Sequence, residues 1–196
     1  MFYRDLIFAG TRDDVAHCRE LLLIKFHETF NWHGCAVAFP RWTDGRENRS
    51  DTFDTFTRYA DPGKVLRLFA DTAEQLENAF ATLGLHELVR ADHLTVTPVQ
   101  PVPQVSRAVA VCRSRDADRH ARITNRFELD LDERYRREEA VRSHLHQQAY
   151  IKMISSKGQQ FSLSIERRFS DTPSAQIDVT SYGLSRVSAP CFLPDF

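Results

Sequence analysis

Six arginines and only two acids stand between Arg107 and Arg126, inside QVSRAVAVCRSRDADRHARITNRFELD at 104–130. In DADRHARITNR, Arg119, Arg122 and Arg126 recur at i, i+3 and i+7, a spacing that on a helix puts three guanidiniums on one face, with His120 at its edge. Arg113 and Arg115 come just before that helix. A row of guanidiniums can follow a phosphate ribbon, each offering forked donors to phosphate oxygens and releasing counterions as it binds. The plainer reading is a solvated helix whose first turn carries Asp116 and Asp118 as partners of the helix dipole. Spacing alone leaves both open.

Proton chemistry has a candidate in His27, in KFHETF, at the flank of an apolar helical stripe beside Leu23 and Phe30. A histidine there commonly packs with one wet edge, yet imidazole, ordinarily titrating at about 6.5, is also the side chain suited to proton transfer near neutrality. His144 and His146 form HLH, which points two rings apart on a helix and to one side on a strand. The acids nearby form no recognisable ligand set, so no metal and no cofactor are expected. Tyr182, in DVTSYGLSR, and Phe161, in QQFSLSI, carry no message by position alone. Four cysteines, Cys18, Cys35, Cys112 and Cys191, lie far apart without a CxxC pair and are expected as buried thiols of a reducing compartment.

These residues need a frame, and 196 residues with 42% hydrophobic and 27% charged content suffice for one large globular domain or two small ones. The formal charge of −1 hides an asymmetry: residues 1–100 hold 11 Lys/Arg against 15 Asp/Glu, and residues 101–196 hold 15 against 12. Basic potential is therefore concentrated in the second half, where local clustering is what phosphate recognition requires. With no run of eighteen apolar residues and no signal-like h-region in MFYRDLIFAG, a cytoplasmic chain without membrane partners is expected.

The first half breaks into short elements. FYRDLIFA alternates as a half-buried strand does, and TRDD offers a capping box, Thr11 with Asp14, to a helix with Val15, Cys18, Leu22, Phe26 and Phe30 at helical spacing. NWHG ends it. CAVAFP, a weaker FDTFTRY and KVLRLFA read as strands, the last stopped by a capping signal in Asp71 with Glu74. The helix that follows carries Leu76, Phe80 and Leu83 and meets Gly84 as its C-cap, and DHLTVTPV closes the set as a strand. Strand, helix, two strands, helix, strand is the βαββαβ order of a ferredoxin-like domain, expected over 1–100 in an α+β protein. Three prolines, Pro98 just before VQPVPQV and Pro101 and Pro103 within it, mark a linker, and a smaller α+β domain is expected over 104–196. It would comprise a strand at Val105–Cys112, the Arg-rich helix, a charged helix around Asp132–Gln148, and a hairpin, IKMIS–SKGQ–QFSLSI, with Lys157-Gly158 at its turn. The fold leaves function undecided.

Taken together, these pieces resemble the CRISPR repeat-processing endoribonuclease family of type I-F systems over nearly the whole chain. The likeness is carried by QVSR at 104–107, the Arg-rich helix, GQQF ending in Phe161 and SYGLSR around Tyr182, with KFH, AFP and GKVLRLFADTAEQL in the first half. It implies a protein that cuts precursor CRISPR RNA beside a repeat hairpin, without metal, by attack of a ribose 2′-OH on the adjacent phosphate, leaving a 2′,3′-cyclic phosphate and a 5′-OH. It implies His27 as the proton-transfer group and Tyr182 as the residue that positions it or the phosphate. Arg107 is implied to read a base near the foot of the stem, and Phe161 to stack on the terminal pair, worth about 1–3 kcal/mol. Gln104, Arg113, Arg115, Arg119, Arg122 and Arg126 join the RNA contacts, the helix entering the accessible end of a short stem's major groove. The partners implied are the CRISPR RNA repeat hairpin and the other subunits of the crRNA-guided surveillance complex.

Two departures from the family pattern matter. The position of its ribose-contacting serine holds Ile154, with Ser155 and Ser156 following; a strand reverses facing at each residue, so Ser155 serves only through a slipped register or a bulge. Its second base reader, a glutamine, is Val109 here, so hairpin preference should differ. A non-catalytic hairpin-binding subunit is the alternative.

Overall fold

The structure is a computed structural model that describes residues 1–45, 59–114, 130, 132–133, 136, 147–154 and 158–196, the side chains of 28–33 excepted. It is an α+β protein built on two antiparallel sheets. Strand β1 (Phe2–Phe8) places Leu6 and Phe8 in the core while its other residues alternate outward, except for Arg4, which is buried and paired to Glu77 at 2.8 Å. Helix α1 (Arg12–His33) starts on the expected reciprocal pair: the Asp14 carboxylate accepts from the Thr11 backbone N–H at 2.9 Å and hydroxyl at 2.7 Å, and the Thr11 hydroxyl accepts from the Asp14 N–H. Those bonds hold the Asp14 carboxyl below its usual value. Val15, Cys18, Leu22, Leu23 and Phe26 form the buried stripe, and Gly34, at φ 65, lets the chain leave the helix.

Strands β2 (Ala36–Ala38) and β3 (Val65–Ala70) follow; FDTFTRY lies outside the described residues except for Tyr59, which is in no strand. Helix α2 (Ala73–Leu83) is capped one residue later than expected. Thr72 and Gln75, rather than Asp71 and Glu74, make the reciprocal box, because Thr72 has the extended backbone a cap needs and the Gln75 side chain bonds back to its N–H. Gly84 is the left-handed C-cap, at φ 60. Ala79 joins Leu76 and Leu83 in the core, with Phe80 only partly buried. A five-residue helix α3 (His86–Arg90), which apolar spacing did not announce, precedes β4 (Leu94–Val96). The first sheet has the order β2-β3-β1-β4, with every neighbouring pair antiparallel. The proline-rich VQPVPQV adds a two-residue strand β5 (Gln100–Pro101) on β1, where Phe2 faces Pro101 and Val102 bonds to the Met1 carbonyl. Proline is tolerated there because no further ladder bond is asked of it.

The second sheet has the order β7-β8-β6-β9. Strand β6 (Ala108–Arg113) begins three residues later than read from the sequence, and β7 (Gln148–Ile154) and β8 (Gln160–Ser170) form the expected hairpin, with Gly158 at φ 76 in the connection. Strand β9 (Leu193–Pro194) was not anticipated. Of the charged helix around Asp132–Gln148, the described Asp132, Glu133 and Arg136 are helical, while Gln148 opens β7. The Arg-rich helix, with Arg115, Arg119, Arg122 and Arg126, lies outside the described residues, as do His144 and His146.

One hydrophobic cluster joins both sheets: Leu22, Leu23 and Phe26 of α1 meet Leu6 and Leu66 on one side and Ile151, Met153, Leu163 and Ile165 on the other. A second cluster, Ala36, Ala38 and Phe69 with Cys191 and Leu193, lays the end of the chain against the other face of the first sheet. Arg67 ties it down. Its buried guanidinium grips Asp5 at 2.6 and 2.9 Å, donates to the Phe196 carbonyl at 2.8 Å and stacks 4.0 Å from the Phe196 ring. Among the described residues, no helix is long and apolar enough to cross a membrane.

Candidate active site

His27 follows the fully buried Phe26 by one helical step of about 100°, which turns its ring from the core to the flank of the stripe, where it is partly exposed with Nδ1 shielded from solvent. Tyr182 comes from the other end of the chain. The Gly183 N–H bonds the Thr180 carbonyl at 2.9 Å, the Thr180 N–H bonds the Leu184 carbonyl at 2.8 Å, and Gly183 sits at φ 69; this is a three-residue loop whose last residue needs left-handed backbone. Three attachments fix that loop. Val37 of β2 donates to the Gly183 carbonyl at 2.8 Å, Leu184 is buried, and the Ser185 N–H reaches the Val111 carbonyl of β6 at 2.8 Å. The two rings meet as a stacked pair, with centroids 4.3 Å apart and planes 15° apart. An imidazole is thereby held flat against a phenol by two elements with little freedom of their own, which is the preorganisation a proton-transfer group requires.

Phe161 is half-buried on β8, opposite Met153, and packs against the same cluster as Tyr182. Ile154 pairs with Gln160, and period-two alternation puts it on the sheet face opposite Met153 and Phe161, 45% exposed. Ser155 lies outside the described residues.

Among the remaining described candidates, Arg107 and Arg113 lie at different distances from Phe161 along the second sheet. Arg107 precedes β6, whose first residue pairs with Ser170, nine positions along β8 from Phe161; at 3.3 Å per residue that is roughly 30 Å. Its guanidinium bonds Asp195 through Nε at 2.8 Å and Nη2 at 2.6 Å, and the Asp195 N–H returns a bond to the Arg107 carbonyl. It also lies 5.4 Å from the Phe169 ring, which a second guanidinium, Arg167, approaches at 5.1 Å. None of Asp195, Phe169 and Arg167 was singled out from sequence, because only strand register makes them neighbours of Arg107. Val109 is buried opposite that same Phe169. Arg113, partly buried, faces Ile165, only four positions from Phe161 and on the same sheet face, or roughly 13 Å along the strand. Gln104 is exposed between β5 and β6.

The four cysteines are buried and in no disulfide; burial pushes the Cys35 thiol up to about 12 and Cys112 up to about 11, and raises Cys18 and Cys191. Among the described residues, no group of three or more His, Cys, Asp or Glu is arranged to hold a metal.

No curated protein matches the chain. Residues 16–196 match the family model described as CRISPR-associated protein (Cas_Csy4), a span that includes most of α1 with His27, the β7–β8 hairpin with Phe161 and the 180–184 loop with Tyr182. A match over that share of its length makes this chain a member of the Cas_Csy4 family of CRISPR-associated proteins, which act in CRISPR RNA processing.

Proposed function

We propose that the protein is a metal-independent endoribonuclease of a type I-F system that recognises and cuts the hairpin repeat of precursor CRISPR RNA and stays on the mature RNA as a subunit of the interference complex. In the reaction, the 2′-oxygen attacks the adjacent phosphorus and gives up its proton as the bond to the 5′-oxygen breaks. A proton reaches that leaving oxygen, and the products are a 2′,3′-cyclic phosphate and a 5′-OH. His27 is the proton-transfer group, Tyr182 holds its ring, and Ser155 contacts the ribose. Arg107, Arg113, Arg115, Arg119, Arg122, Arg126, Gln104 and Phe161 bind the RNA.

The observation that carries this reading is the His27–Tyr182 stack, which joins residues 155 positions apart in a partly exposed pair. The antiparallel order β2-β3-β1-β4 with α1 and α2 between strands supports a ferredoxin-like domain over 1–100, followed by an RNA-binding domain over 104–196. His27→Ala should abolish cleavage of the repeat RNA in EDTA while leaving hairpin affinity within about threefold, since a half-buried ring at the edge of the core contributes little to phosphate attraction. Undiminished cleavage by that variant rejects the assignment.

One observation favours the alternative of a hairpin-binding subunit that does not cut. Ile154 stands where the family has its serine, carries no hydroxyl and faces away from Phe161. Wild-type protein that binds the hairpin and leaves no cyclic-phosphate product would decide for it.

A further inference from the structure

Two helical turns before His27, α1 borders a cavity of about 680 Å³ that the reaction above does not use. Arg12 and Arg19 line it at i and i+7, on one helix face and about 10.5 Å apart along the axis. Lys64 adds a third, exposed cation to the lining. Arg19 is the unusual member. Its side chain is only 8% exposed, it donates to the Gly63 carbonyl at 2.8 Å, and its Nε is buried without a hydrogen-bond partner among the described residues. A buried guanidinium with an idle donor is costly unless an acceptor arrives. Asp61 offsets part of the charge, at 3.7 Å from both Arg12 and Arg19, but it is 39% exposed and already accepts the Gly63 N–H at 2.9 Å. The first turn of α1 also brings the positive end of the helix dipole, which Asp13 of the lining and the capping Asp14 partly offset.

The lining also holds two aromatic rings. Tyr59 and Tyr150 meet edge to face with centroids 4.6 Å apart, and Tyr59 is 48% exposed. Cations and an exposed ring lining one cavity are how proteins hold an unpaired nucleotide, phosphate on the cations and base on the ring. A free phosphate would leave the ring unused, and the volume suits a nucleotide.

We infer that this cavity binds one unpaired ribonucleotide of the RNA outside the hairpin, with its phosphate on Arg12 and Arg19 and its base on Tyr59. For its occupant the inference rests on the function proposed above. Arg19 is eight residues from His27 on the same helix, about 12 Å of rise, so a strand leaving the cut can reach it.

The test uses the full chain and a fluorescent hexauridylate carrying one 4-thiouridine. Ultraviolet crosslinking followed by peptide mass spectrometry should mark the peptides containing Tyr59 or Tyr150. Tyr59→Ala and Arg12→Glu, both at exposed positions where folding is little affected, should each weaken hexamer binding about fivefold or more, the low end for a lost base stack. Crosslinks confined to other peptides, or affinities within twofold of wild type for both variants, overturn the inference. A repeat hairpin without flanks is titrated in parallel. If it fails to bind while the hexamer still marks the cavity, the proposed function falls and the site stands.

Discussion

Replacing Tyr182 by Leu removes the flat face under His27 and keeps an apolar side chain against the main cluster. Aromatic pairs contribute about 0.5–1.5 kcal/mol beyond the area they bury. If that energy keeps the imidazole in its aligned rotamer, then at 1.36 kcal/mol per decade its loss lowers the aligned population about two- to thirteenfold, and single-turnover cleavage falls by the same factor. Tyr182→Phe retains the stack and should keep most of the rate if the stack is what holds the ring. The assay is single-turnover cleavage of end-labelled repeat RNA at saturating protein, with hairpin affinity from filter binding and folding from circular dichroism. A folded Tyr182→Leu variant cutting at the wild-type rate refutes the positioning role. A Phe variant as slow as the Leu variant refutes the stack as its cause and assigns the effect to the phenol oxygen.

Arg67→Met should cost about 3–5 kcal/mol, because it strands the Asp5 carboxylate, only 16% exposed, without its two bonds. For a chain of this size that is a drop of roughly 6–20 °C in melting temperature, and a change below 2 °C would show that water replaces the pair at little cost. In the folded protein at pH 8 none of the four cysteines should react with a thiol-specific disulfide reagent, and all four should in guanidinium. Because Cys35 and Cys112 hold their protons up to about 12 and about 11 when folded, the native state binds more protons than the unfolded one above pH 9. Stability is therefore unaffected by these thiols below pH 9 and declines as pH rises from 9 toward 12, measurable by urea titration across that range.

Elements written in local patterns were legible from sequence. The α1 stripe, its Thr11–Asp14 cap and the Gly84 terminus follow from helical spacing and left-handed backbone, both of which act within a few residues. The α2 cap slipped by one because Asp71 and Thr72 are both competent caps, and the tie is broken by whether Glu74 or Gln75 lies where it can bond back. Helix α3 and strands β5 and β9 were missed for one reason. At two to five residues they have too little period to announce themselves; β5 and β9 exist because β1 and β6 offer ladder positions for them to take up, and α3 because it can pack against β4.

The candidate site divides along the same line. His27 and Tyr182 each look like packing residues alone, and the stack between them depends on contacts no local pattern encodes: Val37 with Gly183 and Val111 with Ser185. Arg107 shows the converse. Beside Val109 in sequence it reads as one member of a basic patch, but register sends it to the far end of β8 from Phe161 and fastens it to Asp195. A stem foot resting on Phe161 would find Arg113 before Arg107, since a paired strand position four residues away is nearer than one nine residues away on any twist of the sheet. In β structure the neighbours of a side chain are set by its partner strand, so a run of arginines in sequence need not be a patch in space.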